Sequence, residues 1–175
     1  MYDMQLVIPF INAQAKMKIE EHRLFRRYLL TIPFPVIDDM LHRIASKIQA
    51  ETDCQTCANC CKILEPELTS DESERLAILS TNPTCFAQEC TKLEPGTQIL
   101  FMKAKPCIFL QNSSCSVYSQ RPDSCANYPH LSEPRSKFRM ARIIDQYGVC
   151  PIVFQSIEAL KEHIGFAVGT MLPVS

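Results

Sequence analysis

Residues 53–62 read DCQTCANCCK, placing Cys54, Cys57, Cys60 and Cys61 within eight positions, the last two adjacent. Thiols this close constrain a chain more than any hydrophobic pattern. They must be bonded to one another, hold an inorganic ion, take part in redox chemistry, or pack as small apolar groups. Two residues between cysteines let one turn of backbone aim both sulfurs at a single ion about 2.3 Å away. The same spacing serves iron-sulfur clusters, so spacing alone leaves zinc and iron-sulfur open. A thioredoxin-like redox pair is the other enzymatic reading of CxxC, but it requires a βαβ context, and a helical pattern precedes the motif here. Neighbouring side chains usually diverge, so Cys60 and Cys61 are expected to serve different ions, or one to bind and the other to pack.

The chain has ten cysteines, and their meaning depends on the compartment. The opening MYDMQLVIPFINAQAK has an apolar part, Leu6 to Ile11, too short for a signal-peptide core, and Asp3 precedes it in place of a basic stretch. A cytoplasmic location is therefore expected, where structural disulfides are rare and metal sites tolerate reduction; a disulfide framework is the competing reading. Four further cysteines supply the other half of a site: Cys107 in KPCIFL, Cys115 in SSCSVY, Cys125 in RPDSCANYP and Cys150 in GVCPIV. Cys107 and Cys115 suit the two arms of a hairpin. Cys125 and Cys150 stand beside proline at expected helix starts, where the dipole and free amides stabilise a thiolate. Eight thiols suffice for two tetrahedral sites, or for one four-iron cluster with spares. Lys62, Lys103, Lys105 and Arg121 are near enough in sequence to offset their charge.

Around these cysteines the patterns predict an α+β fold, a small irregular metal-stapled domain with several helices and a short β hairpin. At 175 residues, the chain is expected to form a single domain over 1–175: N-terminal helices over 1–50, a cysteine-cluster core over 54–151, and a C-terminal helix over 151–167. The segment VIDDMLHRIASKIQAE sets Ile37, Met40, Leu41, Ile44, Ala45 and Ile48 on one helical face. Residues 13–30 form an earlier helix with Leu24, Phe25, Tyr28 and Leu29 as its stripe, and IPFP at 32–35 separates the two. LTSDESERLAILS opens a helix with Thr69 and Glu72 spaced as a capping box. Residues 83–96 read as irregular. TQILFMKA and PCIFLQNSSCSVY favour strands, the second turning at NSS, and FRMARIID is a further strand candidate. Pro151 opens a terminal helix with Val153, Ile157, Leu160 and Ile164 on one face.

The ordered set CQTCANCC, PCIFL, CSVY, RPDSC followed by YP, and a later CP resembles the YkgJ-type CxxCxxCC cysteine-cluster family, a zinc- or iron-chelating domain. The resemblance spans residues 54–151. It implies that Cys54, Cys57, Cys60, Cys61, Cys107, Cys115, Cys125 and Cys150 chelate the metal, with Arg121 and Pro122 belonging to the signature. Larger relatives include flagellin lysine methylases. The four glycines here, Gly96, Gly148, Gly165 and Gly169, form no glycine-rich loop for a methyl donor, so that activity is not carried over.

The remaining candidates are weaker. Cys85 and Cys90 fall outside the matching motifs and read as small packed or exposed thiols, with an accessory ligand role as the alternative. His130 lies five positions after Cys125, within reach of a metal site or of the groups around one; His22, His42 and His163 read as ordinary helix residues. Arg121 either pairs with cluster thiolates or caps a carboxylate, or simply begins a proline turn at the surface. The acidic runs IEE, DD and SDESE read as solvated helix faces or first-turn charge, not paired catalytic carboxylates. No Ser/His/Asp set can be argued. A net charge of −1 argues against a nucleic-acid partner, and apolar runs far below the roughly 18 residues of a membrane span argue against a membrane one. The expectation is a metal-binding module taking zinc or an iron-sulfur cluster, with an iron-sulfur oxidoreductase or electron-transfer component as the alternative. Its partners would be the metal ion and a protein redox or metal-handling partner.

Overall fold

The computed structural model describes residues 4–103 and 105–168; Ala104 and Gly169 lie outside the described residues. In chain order the helices and strands are α1 (Met4–Met17), α2 (Ile19–Leu29), α3 (Phe34–Ala50), α4 (Cys54–Cys57), α5 (Asn59–Ile63), β1 (Glu67–Leu68), α6 (Ser70–Leu79), α7 (Phe86–Cys90), β2 (Thr91–Leu93), β3 (Leu100–Met102), β4 (Leu110–Gln111), β5 (Ser114–Cys115), α8 (Asp123–Ala126), α9 (Ser136–Asp145) and α10 (Pro151–His163). The fold is α+β, as expected. The described residues form two compact units, one within residues 4–53 and 129–168 and the other within residues 54–103 and 105–128.

The first unit is helical. On α3 the expected stripe faces inward: Ile37, Leu41 and Ala45 are buried, and α3 packs against α9 and α10. Pro33 precedes α3 and Pro35 lies in its first turn, where the missing amide costs nothing. The helix expected over 13–30 is two helices: α1 begins at Met4, and the path bends at Lys18 before α2. Phe25 and Leu29 of α2 are buried as expected.

The strand proposed for FRMARIID is helix α9. Ser136, Met140, Ile143 and Tyr147 are all buried, a spacing that follows the helical period. Its start is secured from α3: Asp38 accepts the amides of Arg135 and Ser136, each at 2.7 Å, and the Ser136 hydroxyl at 2.6 Å. At the other end, a Cβ on Gly148 would stand 2.8 Å from Ala15 Cβ, so glycine is required where α1 crosses the turn into α10. On α10, Pro151 takes the first position, and Val153, Ile157 and Leu160 are buried.

The second unit is built around Leu68, Leu76, Phe86, Met102 and Phe109, with Cys90, Cys107, Cys115 and Val117 packed against them. Its sheet runs β1-β3-β2, all antiparallel, with Leu100 opposite both Leu68 and Leu93. Residues 83–96, expected to be irregular, contain α7 and β2; Thr91 joins them by donating its hydroxyl to the Ala87 carbonyl at 2.6 Å. The capping box is present as read. Glu72 N donates to Thr69 Oγ1 at 3.2 Å and Thr69 N to Glu72 Oε2 at 2.8 Å. The hairpin β4-β5 also turns where expected, with Asn112 (φ 47°) and Ser113 (φ 64°) as a two-residue left-handed loop.

Candidate metal centre

Of the eight predicted cysteines, seven lie in the second unit, and four of these come from segments far apart in sequence: Cys61 on α5, Cys107 before β4, Cys115 on β5 and Cys125 on α8. In the fold they are mutual neighbours. Every pair among them is close enough for a thiolate at one to oppose ionisation of the other. The cause is a few specific joints. Cys107 N donates to the Cys61 carbonyl at 2.8 Å, tying the end of the CxxCxxCC segment to the start of the hairpin. The hairpin register sets Cys115 opposite Leu110. The short helix carrying Cys125 is held from α6 and β1: Glu72 Oε1 accepts the Asp123 amide at 2.7 Å, and the Ser124 hydroxyl donates to the Glu67 carbonyl at 2.6 Å.

Cys54 and Cys57 stand at the two ends of α4, which packs against β5, and Ser114 donates to Gln55 at 3.3 Å across that contact. The chain then reverses through Ala58, buried and left-handed at φ 46°, to begin α5. Cys60 and Cys61 do not diverge as expected. The Cys60 thiol donates a hydrogen bond to the Cys61 sulfur. Cys150 belongs to the first unit, where it is buried at the N-cap of α10.

The quartet is electrostatically uneven. The hydrogen bond from Cys60, aided by the charges of Arg121 and Lys62, draws the Cys61 thiol down to about 7. Burial pushes Cys107 and Cys115 up, and pushes Cys125 up to about 12, with neighbouring thiolates adding to the rise. Against this, the amides of Phe109 and Leu110 donate to the Cys107 sulfur and that of Val117 to the Cys115 sulfur. Donation to sulfur from the amide two residues on occurs at both arms of the hairpin, and it stabilises negative charge on those atoms. Arg121 stacks its guanidinium on Tyr118 at 3.8 Å and acts electrostatically on Cys61 and Cys115, which favours the cluster reading of this residue over the surface one.

Among the described residues, no group of three or more His, Cys, Asp or Glu stands in an arrangement that could hold a metal ion as placed. The thiols are gathered within electrostatic range but not at coordinating distance. Their chemistry nonetheless suits a soft divalent ion. A divalent cation would relieve the mutual opposition to ionisation among clustered, half-buried thiols, and thiolate sulfur is a ligand that both zinc and iron take. Cys57, Cys61, Cys107, Cys115 and Cys125 carry no disulfide.

Cys90 packs against the apolar core of the unit, and burial pushes its thiol up; Cys85 stands at the position before α7, its sulfur 3.9 Å from the Thr84 hydroxyl. His130 lies in the first unit with φ 59°, its Nδ1 2.7 Å from Glu133, while Arg139 donates to both Glu133 and the His130 carbonyl. Sequence reasoning missed the second bond of Glu72. The capping box revealed the residue, but its reach to the helix of Cys125 is a tertiary contact.

A small α+β unit with thiols gathered from separate segments defines the class of cysteine-cluster proteins. Within that class the chain belongs to the CxxCxxCC family, whose model, described as a "putative zinc- or iron-chelating domain", matches residues 53–151. No curated protein matches the chain, and no solved structure does. No described helix is long and apolar enough to cross a membrane.

Proposed function

We propose that the chain binds a zinc or iron centre through Cys61, Cys107, Cys115 and Cys125, and that it works as a metal-binding module in a reducing, cytoplasmic compartment. The observation that carries this reading is the convergence of these four thiols from four separated segments onto one another, in a chain of a chelating family. Cys60 supports the centre through its hydrogen bond to Cys61. Cys54 and Cys57, on the helix packed beside Cys115, are the next donors in line.

With four thiolates the ion would be closed to substrate and would stabilise the unit directly, since binding energy becomes folding energy. Arg121 and Lys62 offset the negative charge, and the amides of Phe109, Leu110 and Val117 hold the sulfurs. Those amide donors also favour a second reading, an iron-sulfur electron carrier on the same thiols, because donation to sulfur is what tunes such a cluster. The protein partner would then be a redox protein instead of a metal-handling one.

Anaerobic purification followed by metal analysis and an absorption spectrum tests the proposal. A colourless protein carrying zinc supports the closed centre, and a brown one with broad visible absorption supports the cluster. Cys61→Ser and Cys125→Ser should each lose most of the bound metal while Cys85→Ser keeps it. Protein without metal in either preparation, or full retention in both quartet variants, would sink the reading.

A further inference from the structure

The first unit has a shallow groove of about 310 Å³ lined by Arg23, Arg26, Arg27 and Leu30 of α2 and by Lys137 and Phe138 of α9. The α2 residues recur at the helical period, on the face away from the buried His22, Phe25 and Leu29. Two large apolar side chains are left in water there, Leu30 at 62% and Phe138 at 65% exposure. An exposed face of mixed charges would need no explanation. The six residues lining this groove include four cations and no carboxylate.

Arg23 is neutralised by Glu20, which it grips at 2.5 and 2.8 Å, and Glu20 also feels the charge of Arg27. Arg26, Arg27 and Lys137 leave the groove positive. The α2 dipole accounts in part for the first two, since they occupy its last turn. Lys137 comes from the first turn of α9, but its ammonium reaches the carbonyl end of α2 as well. Its ammonium donates to the Ile32 carbonyl at 2.8 Å, just past the end of α2, and lies 5.3 Å from the Phe138 ring centre. Arg26, Arg27 and Lys137 therefore gather their charges at one end of α2, beside the exposed side chains of Leu30 and Phe138.

We infer that this groove docks an acidic, apolar peptide segment of a partner protein, its carboxylates on Arg26, Arg27 and Lys137 and an apolar side chain between Leu30 and Phe138. Charge complementarity selects a carboxylate-bearing partner. The paired apolar residues select a peptide over a bare polyanion, and the net charge of −1 on the whole chain disfavours a nucleic acid.

Fluorescence anisotropy on the full chain tests this with four labelled probes: a short peptide of alternating Glu and Leu, its Gln/Leu and Glu/Ser counterparts, and a single-stranded oligothymidine. The Glu/Leu peptide should bind best, and added salt should weaken it. The double variant Arg26→Gln/Arg27→Gln should weaken it by about tenfold, and Phe138→Ser should bring it down to the level of the Glu/Ser peptide. The control double variant Arg43→Gln/Lys47→Gln, which removes equal charge from α3, should leave it unchanged. No binding of the Glu/Leu peptide, an equal loss in the control, or tighter binding of either the Gln/Leu peptide or the oligothymidine would each overturn the inference. Both arginines are exposed, so circular dichroism of the variants should match the parent chain.

Discussion

Individual side chains carry the strongest electrostatic consequences in this protein. His22 is 5% exposed, its ring edge-on to Tyr147 at 4.4 Å between centroids, and its Nε2 is buried without a hydrogen-bond partner. Burial, reinforced by the charge of Lys161, holds it down at about 4, against 6.5 for an ordinary histidine. The fold therefore prefers the neutral ring, and the unfolded chain binds the extra proton. Stability contributed above pH 6.5 should fall as the pH drops through that value and be gone below about 4, a difference of about 3 kcal/mol. His22→Phe should flatten this window in denaturant melts recorded between pH 4 and 7. Glu72 makes the second residue-scale prediction. Thr69→Ala should cost about 1 kcal/mol, the usual worth of a cap, but Glu72→Ala should cost about 2 kcal/mol because the Asp123 amide also loses its acceptor. Because Asp123 opens the helix of Cys125, Glu72→Ala should also reduce bound metal, read by metal analysis of the purified variant.

At the scale of elements, α9 depends on a residue from α3. Asp38 gives the start of α9 three hydrogen bonds; burial opposes its ionisation, and those bonds with Ser136 and Arg135 nevertheless keep its carboxyl below the usual carboxylate range. Asp38→Ala should destabilise the first unit by about 2 kcal/mol, in keeping with bonds to a charged acceptor. Hydrogen exchange should show the loss first at residues 136–140. The α1 crossing makes a steric counterpart. Gly148→Val should cost about 1–3 kcal/mol, because the added atoms meet Ala15 and the backbone of Asn12.

For the whole molecule, a metal centre in the second unit predicts which perturbations matter. If thiolates hold an ion there, a strong chelator should lower the thermal midpoint measured by scanning fluorimetry, and a reductant alone should not. A disulfide-stapled chain would behave in the opposite way.

How far the amino-acid sequence reached follows from the range of each interaction. The α3 stripe, the Thr69–Glu72 box and the turn at Asn112–Ser113 are written in residues a few positions apart, so they could be read directly. The family was legible for the same reason, as short motifs in fixed order. Helix α9 was not, since its cap comes from Asp38, 97 positions before Arg135, and its apolar pattern alone also fits a strand. Nor could the motifs show that Cys60 bonds to Cys61, or that Cys61, Cys107, Cys115 and Cys125 become neighbours. Spacing names the atoms able to bind an ion; which of them meet depends on backbone and carboxylate bonds between segments that only folding brings together.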